Sequence, residues 1–389
     1  MRLERFRLSA IGTVLGLIFV LAGLLSADTG PAHQVLQARP ILLGTSGGSI
    51  NDRTRSQCCG GTLGALVTDG STQYVLSNNH VMARSNKGAP GDGILQPGLI
   101  DQAPVCAQDS NDVVATLSVF EPIHFLSFSN LGATNTVDAA IAQVVVGKVQ
   151  SDGAILDIGT ISTTPATAQI GMAVQKSGRT TGLTTGSVAA VNVTISVKYG
   201  GCGSGRGLAR FTNQIRITPG GFSSGGDSGS VVLDDAAPPH AVGLLFAGSD
   251  TDTFANPIQS VLGSFGVSLV GTSGQAGFPL GRWLGWLLPG RGVARAEAAR
   301  PAVNASAQAL ARYVMQRHEA AIMQQGGVVG LGVGASELVP GEAAVEVYVV
   351  RDTSALRGAL PAWLDGVSIK VVETGEITAR TGFCPLDES

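Results

Sequence analysis

Charged residues are scarce in this chain, and no basic run is longer than a few residues. Asp, Glu, Lys and Arg make up 14% of the 389 residues, and the formal net charge is −3. This composition argues against a charged disordered chain and gives no sign of a nucleic-acid surface. Aromatic residues are also few, at 5%, whereas glycine is abundant, with 54 residues. Many glycines and little charge favour a β protein rich in tight turns over a helical bundle.

Recognisable metal and cofactor motifs are missing as well. The five cysteines contain no Cys-x-x-Cys pair, which disfavours a zinc site. Residues 330–335 match a loosened dinucleotide fingerprint, but residues 337–341 include Pro and Gly where a helix must start. His318 and Glu319 begin like a zincin helix, yet Ile322 stands where the second histidine is needed. We therefore expect no metal, no cofactor and no nucleic-acid partner.

Residues 1–27 predict export. Arginines at the start precede an apolar stretch from residue 10 to residue 25, which is the arrangement of a signal peptide. We expect cleavage after Ala22 or Ala27, although the stretch is nearly long enough to remain as an anchor. Uncleaved, residues 8–27 would associate with a membrane. The expected location is therefore secreted or in the cell envelope.

Five cysteines in an exported chain predict disulfides with one thiol left over. Cys58 and Cys59 are adjacent and would bridge each other only with strain. Each is therefore expected to pair with Cys106, Cys202 or Cys384. The pairing itself stays open, because spacing alone does not determine connectivity.

Short apolar stretches separated by Gly, Asn and Asp turns fill the middle of the chain. The candidate strands are residues 61–67, 73–77, 113–119, 139–146, 173–177, 186–197, 214–218 and 242–246. No helical period separates them, and such a series predicts antiparallel β-barrels. We assign residues 28–55 to an N-terminal extension and residues 56–271 to the β domain.

A serine flanked by glycines lies in Gly-Gly-Asp-Ser-Gly-Ser, residues 225–230. Alone, this is ordinary turn composition. Serine becomes nucleophilic when an imidazole takes its proton, a carboxylate orients the imidazole and N–H groups await the oxyanion. Glycine lets the backbone turn tightly enough for the N–H groups of Gly226 and Ser228 to converge on one point. The motif thus predicts a nucleophile, Ser228, with its own oxyanion hole.

Two upstream motifs supply partners for Ser228. Residues 74–81 form an apolar strand ending in a polar corner with His80 at its tip, a suitable place for a general base. Asp138 begins a strand in Asp-Ala-Ala-Ile, from which a buried carboxylate can receive an imidazole N–H. Asp101 and Asp112 compete with Asp138 for this role. Asp138 is favoured by its spacing from His80 and Ser228.

Together, Ser-Asn-Asn-His-Val, Asp-Ala-Ala-Ile and Gly-Asp-Ser-Gly-Ser resemble the motifs of the chymotrypsin/trypsin-like serine peptidases. The order His, Asp, Ser and the separations of about 60 and about 90 residues also agree. The resemblance covers about residues 56 to 270. It implies two antiparallel β-barrels and hydrolysis of protein or peptide substrates by Ser228, His80 and Asp138.

Two other functions compete with this reading. An α/β-hydrolase is disfavoured because Ser230 replaces the last glycine of Gly-x-Ser-x-Gly and because the order of the motifs differs. A barrel that serves only as a binding scaffold is the alternative from another class.

The chain departs from the animal trypsins of this family at Asp227. No Ile-Val-Gly-Gly activation sequence precedes the barrels, so we expect a basic side chain or backbone donors to meet the charge of Asp227. Residues 176–186 resemble the Gly-Arg-Thr-x-Gly-Leu-Thr turn of bacterial relatives. We interpret them as a hairpin rather than a substrate-binding segment.

The resemblance also places four residues beside the primary specificity pocket: Phe222, Phe246, Ala247 and Gly248. None of them is acidic. A preference for Lys or Arg is therefore unsupported, and we expect an apolar or small substrate side chain there.

The character of the chain changes after about residue 271. An Ala/Arg/Pro-rich linker, residues 272–302, leads to an amphipathic pattern at 304–325 with Leu310, Tyr313, Val314 and Met315 on or near one face. Strand patterns follow at 328–333, 343–350 and 367–372. They predict a small α+β domain, residues 303–389, which resembles a module of exported bacterial trypsin-like proteins. Targeting, inhibition and packing are the roles open to it.

Overall fold

The structure is a computed structural model that describes residues 32–201, 205–273 and 303–385, the last three as backbone. The predicted signal segment 1–27, most of the linker 272–302 and Cys202 lie outside the described residues. Within the described residues, no helix has the length and apolar character needed to cross a membrane.

The first barrel is formed by residues 45–144. Its elements are β1 (Thr45–Ser49), β2 (Gln57–Leu63), β3 (Ala65–Thr68), β4 (Gln73–Ser77), α1 (Asn79–Met82), β5 (Gly93–Leu95), β6 (Val113–Phe120) and β7 (Ala140–Val144). The strands pair in the order β3-β4-β7-β6-β5-β1-β2. Only Gly64 separates β2 from β3, so these two form one bent strand. Counted in this way, the seven segments form a closed ring of six strands. The Leu, Ile and Val side chains inside it are buried, which is the main source of its stability.

The second barrel is built from β8 to β13. Its elements are β8 (Ala173–Lys176), β9 (Thr184–Tyr199), β10 (Gly207–Thr218), β11 (Val231–Asp234), β12 (Ala241–Gly248), β13 (Thr253–Pro257), α2 (Ile258–Phe265) and β14 (Ser268–Leu269). The order β10-β13-β12-β11-β8-β9 closes through a β9–β10 pairing, and β14 returns to pair with β3. The predicted fold class, two antiparallel barrels in a mainly β chain, is confirmed.

A small α+β unit follows. Its elements are α3 (Ala305–Met323), β15 (Val328–Ala335), β16 (Ala343–Val349), α4 (Ser354–Ala359), β17 (Trp363–Leu364), β18 (Val367–Glu373), β19 (Thr378–Ala379) and β20 (Gly382–Pro385). Asn304 caps α3 by accepting a hydrogen bond from the Ser306 N–H. The buried stripe of α3 is Ala307, Ala311, Val314 and Met315, whereas Leu310 and Tyr313 are exposed. Small alanines allow α3 to lie close to the sheet. The buried face therefore includes the alanines and excludes Leu310 and Tyr313, which the sequence pattern placed on it.

The α+β unit is attached to the second barrel by a continuous sheet. Strand β15 pairs antiparallel with β9 from Ile195↔Gly330 to Ala190↔Gly334, and we call this contact the sheet joint. A side chain in place of Gly332 or Gly334 would collide with Tyr348 or Glu346. The glycines of residues 330–334, which resemble a nucleotide motif, therefore allow close packing beside β9.

Buried charges reinforce the sheet joint. The Arg216 guanidinium donates to Asp252 at 2.6 Å and to Glu346 of β16 at 2.9 Å, and the Tyr348 hydroxyl donates to Glu346 at 3.0 Å. Burial acts to lower the pKa of Arg216, but Glu346, Tyr348 and Asp252, of which Glu346 acts most strongly, together outweigh it and raise the pKa. Arg216 is thus held permanently charged between the barrel and the α+β unit.

One of the expected disulfides joins Cys58 to Cys106, with 5.7 Å between the Cα atoms. Cys59 is disulfide-bonded as well. Strand β20 runs antiparallel to β2, with Gly60 opposite Gly382 and Gln57 opposite Pro385. The end of the described chain thus returns to the first barrel.

Candidate active site

His80 and Asp138 meet because of strand pairing. His80 lies in α1, just after β4, and Asp138 lies just before β7; the register of these strands places Ser77 opposite Ala140. His80 Nδ1 is 2.5 Å from Asp138 Oδ2, and the His80 backbone N–H donates to Asp138 Oδ1 at 3.2 Å. Both side chains are buried, with exposures of 1% and 0%. The carboxylate therefore holds both the imidazole and the backbone of His80.

The two competing carboxylates lie elsewhere. Asp101 accepts a two-pronged contact from Arg179, at 2.6 and 2.7 Å. Asp112 lies 3.6 Å from Arg39. Both are therefore engaged in ion pairs away from His80, and Asp138 is the carboxylate that the fold brings to the imidazole.

Tyr199, at the end of β9, completes the surroundings of Asp138. Its hydroxyl donates to Asp138 Oδ2 at 2.7 Å, and its ring meets His80 edge to face with 5.8 Å between centroids. Burial, followed by the charge of Asp138, raises the pKa of Tyr199 well above its usual value. Tyr199 thus remains a neutral hydrogen-bond donor. Sequence reasoning missed this residue, since nothing near Tyr199 in the chain signals a carboxylate about 60 residues earlier.

Ser228 lies at a sharp turn between Gly226 and Gly229, whose φ angles are +100° and +96°. Such angles favour glycine. The Ser228 side chain is buried, and its Oγ donates to the Phe246 carbonyl at 3.1 Å. Among the described residues His80 Nε2 has no hydrogen-bond partner. The nucleophile–base hydrogen bond is therefore not formed in this arrangement, and a rotation about the Ser228 side-chain bond is needed to make it.

The N–H groups of Gly226 and Ser228 converge on one acceptor. Gly226 N–H donates to the Arg380 carbonyl oxygen at 2.6 Å, and Ser228 N–H donates to the same oxygen at 3.4 Å. Two backbone donors directed at one peptide oxygen form the kind of hole that stabilises an oxyanion. This is the pair of donors that the glycine pattern predicts.

Asp227 is surrounded by hydrogen-bond donors and a lysine, most of them from the segment 176–186. Its carboxylate accepts hydrogen bonds from the N–H groups of Thr180, Thr181 and Ser224 and from the Thr181 hydroxyl. Lys176 Nζ lies 3.7 Å away, and both side chains are fully buried. Burial lowers the pKa of Lys176 to about 8, although Asp227 opposes this shift. Both the basic side chain and the backbone donors expected from the sequence are present, supplied largely by residues 176–186.

The four predicted pocket residues differ in what they present. Phe222 is buried in the core of the second barrel, and Lys176 Nζ is 5.9 Å from its ring centroid. The Phe246 ring packs on Phe211, while its carbonyl faces the site. Ala247 and Gly248 offer backbone, pairing with Ala379 and Thr378. The pocket assignment itself stays a prediction.

Solved structures of serine proteases are partly similar to this chain. No protein-family model matches the chain. A glutamic acid-specific serine protease with a histidine triad in substrate binding has 22% identity and a TM-score of 0.39, covering 59% of this chain and 100% of its own. Thermobifida fusca protease A and Cellulomonas bogoriensis chymotrypsin each have 20% identity and a TM-score of 0.38, covering 60% of this chain and 99% of their own. The similarity that the motifs predict is thus confirmed as a partial likeness of folds.

Proposed function

We propose that the protein is an exported serine endopeptidase that hydrolyses peptide bonds through Ser228, His80 and Asp138. One observation carries the proposal: the N–H groups of Gly226 and Ser228 converge on a peptide carbonyl oxygen at the predicted nucleophile. The buried His80–Asp138 pair supports it. A binding scaffold would need neither the pair nor the converging donors. Export rests on residues 1–27.

The chemistry begins with rotation of Ser228 Oγ away from the Phe246 carbonyl toward His80 Nε2. His80 Nε2 accepts the hydroxyl proton while Oγ bonds to the substrate carbonyl carbon, and the resulting oxyanion is held by Gly226 and Ser228 N–H. The imidazolium returns its proton to the leaving amine, so an acyl-enzyme remains. Water, deprotonated by His80, then releases the acid and restores Ser228.

Asp138 and Tyr199 orient the imidazole for this proton transfer. Because Asp138 accepts a hydrogen bond from the Nδ1–H group, Nε2 is the nitrogen that is free to act as base. The Tyr199 hydroxyl occupies a further lone pair of the same carboxylate oxygen, which fixes its direction. Tyr199 is therefore a positioning residue.

Covalent labelling with a fluorophosphonate tests the proposal. We expect labelling at Ser228 in the parent chain, or in an Arg380→Ala chain that lacks the side-chain contact with the Ser249 carbonyl and so holds the 380 carbonyl less firmly. The Ser228→Ala change in either chain should abolish labelling. Ser230→Ala, two residues away and also a buried serine, is the matched control and should be labelled like its parent. Absence of label in both the parent and the Arg380→Ala chain, each with Ser228 intact, would favour the scaffold alternative.

A further inference from the structure

The α+β unit sends its own backbone through the candidate active site. We call residues 378–382 the cleft segment. On the N-terminal side of Arg380, β19 pairs antiparallel with the end of β12, with Ala379 opposite Ala247 and Thr378 opposite Gly248. On the C-terminal side of Arg380, β20 pairs with β2 of the first barrel, beginning with Gly382 opposite Gly60. An extended peptide that adds a strand on both sides of a nucleophile lies as a substrate would.

Arg380 occupies the central position of the cleft segment. Its N–H donates to the Phe246 carbonyl at 3.1 Å, and its carbonyl oxygen accepts from Gly226 and Ser228 N–H. These three backbone hydrogen bonds present the carbonyl of the Arg380–Thr381 peptide bond at the site of the nucleophile. The Phe246 carbonyl is shared, because Ser228 Oγ donates to it too.

The Arg380 side chain lies against Gly248, the last residue of β12. Its Nη2 donates to the Ser249 carbonyl. Burial lowers the pKa of the guanidinium, and Asp250, Asp227 and Asp252 oppose this change, Asp250 most strongly. Asp227 and Asp252 are already paired with Lys176 and Arg216. Asp250 is exposed and directly follows Ser249, whose carbonyl the Arg380 guanidinium contacts. This position makes Asp250 the candidate carboxylate for an arginine.

We propose that the cleft segment is a built-in competitor bound as a substrate is, with Arg380 in the primary pocket, and that this pocket selects arginine before the scissile bond. The inference rests on the proposed function and names its substrate class. It replaces the apolar or small preference expected from the sequence. The acid comes from Asp250, four residues after the Phe246 carbonyl, which the motif comparison did not reach.

A tethered competitor acts strongly even when its contacts are modest. Attachment through the α+β unit holds the cleft segment at an effective concentration on the order of 1 mM. If the intrinsic dissociation constant of the segment is about ten- to a hundredfold below this effective concentration, the site is open in about a tenth to a hundredth of the molecules. Removal of the Arg380 side chain should raise access to the site by about tenfold or more.

Two independent readouts on the full chain test the proposal. The first is binding of p-aminobenzamidine, a fluorescent mimic of the arginine side chain that needs no catalysis. The second is hydrolysis of a panel of peptide amides with Arg, Lys, Phe, Ala or Glu before the scissile bond. The variants are Arg380→Ala, Arg380→Lys, which keeps the positive charge, and Asp250→Asn in the Arg380→Ala chain. Arg357→Ala is the matched control, because Arg357 is an exposed arginine of the same unit, paired with Asp352.

We expect Arg380→Ala to bind the probe at least about tenfold more tightly than the parent and to cleave the arginyl amide best. Arg380→Lys and Arg357→Ala should remain close to the parent. Asp250→Asn should weaken both probe binding and arginyl cleavage by about tenfold, about 1.4 kcal/mol, and leave the other amides unchanged.

Failure of the two proposals looks different. Probe binding released by Arg380→Ala without any hydrolysis would support the cleft segment and the pocket while contradicting peptidase activity. Hydrolysis in all chains with equal probe affinity in parent and Arg380→Ala would overturn the competitor. Efficient cleavage after Phe, Ala or Glu rather than Arg would overturn the arginine pocket.

Discussion

The α+β unit contacts the barrels in two places that are built differently. The sheet joint combines a strand pairing with a shared apolar cluster, which includes Val193 and Tyr348, and with the buried charges of Arg216, Asp252 and Glu346. The cleft segment is held by backbone hydrogen bonds and one guanidinium, with a short strand on either side. The joint is therefore an attachment, whereas the cleft segment can be exchanged for another peptide that offers the same backbone groups.

Removal of charge from the sheet joint should cause the largest effect. Glu346→Leu would leave the Arg216 guanidinium with one carboxylate and the Tyr348 hydroxyl without its acceptor. We expect the free energy of unfolding, measured in urea, to fall by about 3 kcal/mol. Glu376→Gln is the control, since it breaks the exposed Lys198–Glu376 pair at 3.1 Å and should cause no measurable change. An equal loss of unfolding free energy in both variants would mean that the buried charges contribute no more to the attachment than an exposed ion pair.

Amide hydrogen exchange should separate the two contacts directly. The N–H groups of residues 331–334 open only when the sheet is broken, so their exchange should approach the global limit. The N–H of Arg380 opens whenever the cleft segment leaves. We expect it to exchange at least about a hundredfold faster. Equal protection at the two places would mean that the cleft segment is a fixed part of the fold.

Two buried tyrosines provide a matched test of role. Each hydroxyl donates to a carboxylate, Tyr199 to Asp138 at 2.7 Å and Tyr348 to Glu346 at 3.0 Å. In the Arg380→Ala chain, Tyr199→Phe should lower kcat about tenfold with KM unchanged, because the direction of Asp138 is relaxed. Tyr348→Phe should lower stability and leave kcat alone. A KM effect from Tyr199→Phe would point to substrate binding instead.

The smallest effect concerns pH. The pKa of Lys176 is lowered from 10.5 to about 8, so between these values the unfolded chain binds more protons than the native one. The contribution of Lys176 to stability therefore rises with pH in this window, by at most about 1.4 kcal/mol per unit. Urea titrations at pH 8 and pH 9.5 should show this rise in the parent and lose it in Lys176→Met. Lys370→Met, which removes a lysine paired with Glu346, should keep the rise in stability with pH.

Residues whose role depends on neighbours in the chain were accessible to sequence reasoning. Gly226 and Ser228 form their own turn, and His80 and Asp138 each stand at the end of a recognisable strand. Their contact follows once β4 and β7 pair. Asp227 also has its partners in one loop, at Lys176 and residues 180–181.

Residues whose role depends on distant pairing were not accessible. Tyr199 reaches Asp138 only because β9 crosses the second barrel. Arg380 reaches Gly226 only because β15 first attaches the α+β unit to β9, and no local pattern specifies that register. The contact of Arg380 with the Ser249 carbonyl was missed for the same reason, since the two residues are 131 positions apart in the chain. The pocket assignment of Phe222, Phe246, Ala247 and Gly248 stays a prediction.

The position of the cleft segment along the chain has a consequence for biosynthesis. The last strand before the α+β unit, β14, ends at Leu269, whereas the cleft segment begins at Thr378. At roughly 5–20 residues per second, translation needs several seconds or more to cover that interval. The barrels are therefore complete before their occupant has been made. A nascent molecule passes through a brief period with an open site, and arginine-containing segments of neighbouring chains are within its reach during that time.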